Sequence, residues 1–259
     1  MNKKIKAILN ENLLFAFREN LIIVPTLTYL IFMWIYLLFW TSVILNDFKE
    51  ISFISLMSNI QYFLGISIII FLSISSFDKD FKSKNIYIIL QQVTKREYFL
   101  WKIFSIILIS ILLNILLLII FYIGYIIEFK TINLNLSYIF LYQELDFIMV
   151  AFITSILTLM FQKNMTRLIL LFIILLLWHS IPLLKVLLNK WIIVLDWLGK
   201  FIIDTLYYII PNLDRLNVKN TILYKTSLLS DFWFSMIYTL VFTYLIYNIS
   251  LFIFKKKDF

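Results

Sequence analysis

Six stretches of this chain are each apolar enough to lie in a lipid bilayer, and that feature leaves few folds open. They run approximately from Ile22 to Leu45, Ile51 to Phe77, Ile103 to Ile127, Leu141 to Phe161, Leu168 to Leu188 and Phe232 to Phe254. A helix needs about 20 apolar residues to cross the hydrocarbon core, and lipid leaves every backbone amide to be satisfied inside the helix. The fourth stretch is the weakest, because its strongly apolar part begins only at Asp146, beside Glu144, and its outer turn is drawn from Tyr138 to Leu145. Of 259 residues 63% are hydrophobic and 15% charged, against roughly half and about a quarter in soluble domains. The expected class is an all-α membrane protein whose single transmembrane domain, with six transmembrane helices, occupies the whole chain.

Charge placement predicts how these helices are oriented. Lys3, Lys4, Lys6 and Arg18 precede the first stretch, and cytoplasmic flanks carry the excess of basic residues. With sides alternating from a cytoplasmic N-terminus, fifteen of the 23 basic residues fall inside and eight outside, while six of the 15 acidic ones fall inside and nine outside. The inverted orientation fits much worse. The net charge of +8 therefore reads as membrane orientation, with no nucleic-acid partner expected, in a multi-pass protein of the cell membrane with both termini in the cytoplasm. Glu11 and Glu19 and the lack of a small-residue cleavage site predict that the first span is retained. Residues 1–20 read as an interfacial helix, with Ile5, Ile8, Leu9, Leu13, Phe15 and Ala16 on one side and Lys4, Lys6, Asn10, Glu11 and Arg18 largely opposite. Leu14 and Phe17 interrupt that pattern and leave a plain extension of the first span as the alternative.

The supply of catalytic side chains is poor. Cysteine is absent, and the one histidine, His179, sits between Trp178 and Ser180 without a carboxylate or thiol neighbour, which favours a structural or interfacial role over metal binding. No HExxH helix, GxSxG elbow or phosphate-binding glycine loop occurs, so catalytic, cofactor and metal residues are expected to be absent from this chain. The spans carry almost no charge; Asp146 comes nearest and reads as a residue of a span boundary. An autonomous ion-coupled transporter shows more intramembrane charge, and the two halves of the chain show no repeat. Three polar pairs recur at helical spacing, Ser110 with Asn114, Thr154 with Thr158 and Thr239 with Thr243, and the second span adds Ser67, Ser73, Ser75 and Ser76. Such rows read first as interhelical hydrogen bonds, worth about 0.6 to 2 kcal/mol each, and second as the lining of a substrate pathway.

Between the second and third spans, residues 78–102 form a basic and acidic loop around a short apolar centre. Ile86, Tyr87, Ile89, Leu90 and Val93 would make one apolar side of a short helix there, suited to a groove on a partner. Asp80, Leu90, Thr94, Arg96, Tyr98 and Lys102 follow an order of acidic residue, Leu-rich turn, Ser/Thr-x-Arg-x-x-Tyr element and a lysine opening the third span. This order resembles the coupling-helix region of type-2 ATP-binding-cassette (ABC) exporter permeases, although Trp101 stands where glycine is common and Gln92-Val93 where Pro-Val is common. TLYYIIPNLDRLNVKN (205–220), anchored by Pro211 and Asn212, is similar to the extracytoplasmic segment before the last span of that family. The closing YTLVFTYLIYNISLFIFKKKDF also looks like the family's last span and basic terminus, and the branch most resembled includes multi-copper-enzyme maturation permeases.

The resemblance implies a half-transporter. It would pair with a second permease subunit, identical or homologous, and rest on a dimer of cytoplasmic ABC ATPase subunits that carry the ATP and magnesium, itself having no enzymatic activity. Ile86, Tyr87, Ile89, Leu90, Gln91, Gln92, Val93 and Arg96 are then the expected contact with the ATPase subunit. The outcome would be export of an amphipathic or lipid-like substrate, peptide or drug, or mechanical work on an extracytoplasmic partner. Residues 189–231, apolar at Trp191, Trp197, Leu198, Phe201 and Ile202, would re-enter the outer leaflet or dock such a partner. The rival reading is a membrane scaffold that recruits soluble proteins through the 78–102 loop and transports nothing.

Overall fold

The computed structural model describes residues 3–39, 48–82, 85–91, 93–189, 197–209 and 228–256, and among them every regular element is a helix. In chain order these are α1 (Lys3–Arg18), α2 (Ile23–Phe39), α3 (Lys49–Lys82), α4 (Asn85–Leu90), α5 (Lys95–Phe129), a 3-10 turn (Leu134–Leu136), α6 (Ser137–Met160), α7 (Asn164–Asn189), α8 (Trp197–Ile209) and α9 (Leu228–Lys256). Four stretches among the described residues are long and apolar enough to cross a membrane: Lys49–Phe81, Lys95–Phe129, Leu134–Met160 and Met236–Lys256. A fifth joins them if Asn10–Arg18 and Ile23–Phe39, bent by 49° at their junction, form one span. Asn164–Leu177 is a shorter apolar helical stretch. The end of the first apolar stretch (40–47), Gln92, and Pro211 with Asn212 lie outside the described residues.

Local chemistry sets the breaks. Between α1 and α2, Asn20 takes a left-handed backbone (φ 56°), which asparagine tolerates better than other residues with a Cβ, and the Leu21 amide donates back to the Ala16 carbonyl at 2.9 Å. Thr94 opens α5 with a capping box: its hydroxyl accepts from the Glu97 amide while the Glu97 carboxylate accepts from the Thr94 amide. Lys130, also left-handed, closes α5. The caps of α5, rather than the apolar limits, fix its ends, so it extends beyond the stretch at 103–127, and α3 likewise runs past 51–77.

Packing is organised around α6, which lies against α3, α5, α7 and α9 and is the most enclosed of the four long apolar stretches. Close approach depends on a few small residues. A Cβ on Gly65 of α3 would fall 2.2 Å from the Phe147 ring of α6, and one on Gly124 of α5 would fall 2.5 Å from the Met33 sulfur of α2. Elsewhere aromatic side chains fill the space. At one end of the bundle Phe53, Phe121, Tyr125 and Phe129 pack ring against ring, with Tyr125 and Phe129 centred 4.9 Å apart.

The other end gathers the segments that carry α4. Phe77, Tyr98, Phe99 and Phe254 form a second aromatic cluster there, drawn from the end of α3, the start of α5 and the end of α9. Helix α1 joins them: Asn12 donates to Ser105, Ser76 donates to Asn12 at 3.3 Å, and exposed Lys79 pairs with Glu11 at 2.7 Å. At the far end the Tyr36 hydroxyl donates to the Lys49 carbonyl at 3.1 Å and the Tyr125 hydroxyl to Glu50 at 2.6 Å. Successive helices α2, α3, α5 and α6 therefore run in alternating directions, and α1 shares an end with the last turn of α9.

Candidate functional site

Two polar assemblies break the apolar pattern, one beneath α4 and one in the middle of the bundle. Beneath α4, Asp80 at the end of α3 meets the first turns of α5. Lys102 pairs with its Oδ2 at 2.7 Å, both side chains almost fully buried, and the Tyr98 hydroxyl donates to the same oxygen at 2.5 Å. The other oxygen, Oδ1, is buried without a partner. Alongside, the Arg167 guanidinium reaches from α7 to Asp78 at 2.6 Å and also donates to the Phe161 carbonyl and to Asn164. One partner in each pair is separated by many residues from the other, so the pairs tie α3 to α5 and α3 to α7. Removing one member of such a pair leaves an uncompensated buried charge and costs about 3 to 5 kcal/mol, which resists sliding of these helices past one another.

On this base sits α4. Ile86 is turned inward and only 1% exposed, whereas Tyr87 is 47% exposed. Ile89, Leu90 and Val93 are half-buried and pack on the core, and Gln91 and Arg96 are exposed. The expected contact set thus divides: Ile86 serves the bundle itself, and Tyr87, Gln91 and Arg96 present the outer face, with Gln92 outside the described residues. Arg96 also donates to the Tyr247 hydroxyl of α9 at 3.3 Å, and Lys95 to the Lys255 carbonyl at 3.2 Å.

The second assembly lies near the midpoints of α3, α5 and α6. Glu144 accepts from the Ser110 hydroxyl at 2.8 Å and from the Asn114 amide at 2.9 Å, and the same amide donates to the Phe140 carbonyl at 3.0 Å. Gln61 of α3 donates to the Asn114 side-chain carbonyl, and Gln143 donates to the Ser58 backbone carbonyl at 2.9 Å. Asp146, 6% exposed, is hydrogen-bonded by the Tyr62 hydroxyl. Helix α6 begins at Ser137, so Asp146 and Glu144, expected at a span boundary, lie within the helix and not at its end. The apolarity pattern concealed them, because Gln143, Glu144 and Asp146 lower local hydropathy and make the apolar stretch seem to start later.

The three polar pairs have different fates. Ser110 and Asn114 do make interhelical bonds, to Glu144. Thr154 and Thr158 are buried but return their hydroxyls to the carbonyls of Val150 and Thr154 in their own helix, and Thr243 does the same toward Thr239. Thr239, by contrast, keeps a buried hydroxyl without a partner. Their small size suits the α6–α9 contact, the pairing on which α9 chiefly relies. Ser67 is exposed and bonds to the Phe63 carbonyl of its own helix at 2.8 Å, and the His179 side chain lies outside the described residues. Among the described residues no group of three or more His, Cys, Asp or Glu is placed to hold a metal ion.

The class these features define is a multi-pass helical membrane protein with a polar interior and a short helix mounted at one end. Comparison with protein-family models, with curated proteins and with solved structures found no match.

Proposed function

We propose that the chain is the membrane-spanning permease subunit of an ABC exporter, crossing the membrane six times with α4 and both chain ends in the cytosol. Its ATPase is a separate subunit, and a second permease subunit completes the transporter. The observation that carries this reading is the mounting of α4. Ile86 anchors the helix inward, two buried ion pairs stiffen the helices behind it, and Tyr87, Gln91 and Arg96 remain on the outside. A cytoplasmic engine can drive the bundle only if its nucleotide states bind the two helix arrangements with different free energy. A short helix fixed to a stiff base passes such a difference on to α3 and α5 instead of dissipating it in a loose loop. The Asp80, Thr94, Arg96, Tyr98 and Lys102 pattern supports the same reading, since Asp80, Tyr98 and Lys102 meet in one cluster and Thr94 caps α5 directly above it.

The test is recovery of the tagged chain from native membranes in a mild detergent. Stoichiometric co-purification of a polypeptide bearing a GxxxxGK[ST] phosphate loop, with ATP turnover in the complex, is the expected result. A complex that contains soluble partners but no ATPase favours the scaffold reading and removes the exporter.

A further inference from the structure

In the middle of the bundle three buried acceptor atoms have no hydrogen-bond partner. Asn114 must turn its amide nitrogen to the Glu144 carboxylate, so its oxygen takes the nitrogen of Gln61; Gln143 must turn its nitrogen to the Ser58 carbonyl. Both glutamine oxygens are thereby left over. Gln61 Oε1, Gln143 Oε1 and Asp146 Oδ1 are all buried without a partner, on side chains no more than 6% exposed. The hydroxyls of Ser110 and Tyr62 and both N–H groups of Asn114 are already committed, and Gln61 and Gln143 each direct one N–H to another acceptor. Whatever completes this site must bring a donor and, beside a carboxylate in lipid, a positive charge.

The surroundings select Asp146 over Glu144. Each Glu144 oxygen accepts a hydrogen bond from a neutral donor on α5, and the residue is only half-buried. Asp146 has one oxygen on Tyr62 and the other facing nothing. No lysine, arginine or histidine occurs in residues 51–77 of α3, 103–127 of α5, 168–177 of α7 or 236–254 of α9, the segments nearest α6, so no described side chain neutralises it. The titratable groups on its side are Tyr62 from α3, which donates to it, and Tyr142, four residues earlier on its own helix, and neither supplies a positive charge. Among the described residues no group of three or more His, Cys, Asp or Glu surrounds it. A proton needs no coordination shell and converts the orphan oxygen into the missing donor.

We propose that Asp146 is a proton-binding site at membrane depth, carrying a proton on Oδ1 in this arrangement of α3 and α6, with the surplus glutamine oxygens as acceptors for it. The O–H bond forms with a proton drawn from water and breaks by returning it to water when the two helices part. Gln143, three residues earlier on the same helix face, is the nearest surplus acceptor in the sequence. The site gives the α3–α6 contact a dependence on protonation that no ATPase is required to create, so it stands or falls separately from the exporter reading.

Infrared spectroscopy of the full chain in lipid at neutral pH tests it. A protonated-carboxyl stretch is expected, shifted when the unmutated chain carries 13C-aspartate, lost in Asp146→Asn and retained in Glu144→Gln. The isotope shift in the unmutated chain shows that an aspartate carries the proton. Since Asp80 also keeps a buried oxygen without a partner, retention of the band in Asp80→Asn assigns it to Asp146 even if Asp146→Asn fails to fold. No such band would assign the orphan oxygens to bound water and overturn the proposal. A band that ignores aspartate labelling, or one that sodium or ammonium abolishes at constant pH, would overturn it as well.

Discussion

Asp80 takes two hydrogen bonds on one oxygen and none on the other, in a place where Lys102 is nearly as buried as itself. The pair is held by its geometry and by the lack of any alternative, not by a large net attraction, since desolvation offsets most of the Coulomb gain. Lys102→Met should therefore lower stability by about 3 to 5 kcal/mol, measured by reversible unfolding in mixed micelles. Adding Asp80→Asn to that variant should recover more than half of the loss, because the stranded charge is gone. Equal losses in the single and double variants would show that the lysine stem, not the ion pair, matters. At this scale the sequence was partly legible. Asp80, Tyr98 and Lys102 stood out as members of one pattern, but nothing in the order of residues showed that they touch. The pairing of Asp78 with Arg167, separated by 89 positions, left no local signal beyond two charges close to apolar stretches. The packing of Glu144 and Asp146 was not legible for a physical reason: a carboxylate lowers hydropathy whether it is solvated or held inside a bundle by Ser110, Asn114 and Tyr62.

Among the helices, the α3–α6 contact has the least tolerance. Gly65 lies so close to Phe147 that any Cβ must displace a rigid ring that is itself buried. Gly124 lies against the end of Met33, which has rotamers to spare. Gly65→Ala should destabilise the fold by about 1 to 3 kcal/mol, with partial rescue by Phe147→Leu, whereas Gly124→Ala should cost clearly less. Thermal unfolding of the three variants in one detergent checks the order, and equal costs would refute it. The division of α4 makes a second element-level prediction. Ile86→Asp buries a charge and should cause misfolding or degradation, seen as lost monodisperse yield. Tyr87→Asp changes an exposed side chain, so stability should move by no more than about 0.5 kcal/mol while ATP turnover coupled through the permease falls at least severalfold. A Tyr87 variant with full coupled turnover would move the partner contact elsewhere. Helix existence was readable because a bilayer-length apolar run permits little else, and α4 was readable from its apolar side. Helix ends were not, since Thr94 and Glu97 cap α5 a full two turns before the apolar run begins, and capping obeys side-chain oxygens rather than hydropathy. The apolar side of α4 was likewise read as facing a partner, whereas Ile86 uses it to hold the helix to its own bundle.

For the molecule as a whole, the claim that matters most is directional. Helix α1, the base of α4 and the last turn of α9 share one end, and the loop from Lys130 to Asn133 with its 3-10 turn lies at the other, where the Tyr122 hydroxyl meets the Asn133 carbonyl and Ser137. The basic flanks concentrate at the first end, which the proposed orientation puts in the cytosol. The chain contains no cysteine, so single substitutions at exposed sites report each end without background. The decisive measurement is labelling of Gln91→Cys and Asn135→Cys with a membrane-impermeant maleimide, in intact cells and in inverted vesicles. The account predicts that Gln91→Cys reacts only in inverted vesicles and Asn135→Cys only in intact cells. Reaction of Gln91→Cys in intact cells would put α4 outside, beyond the reach of any cytosolic ATPase, and contradict it.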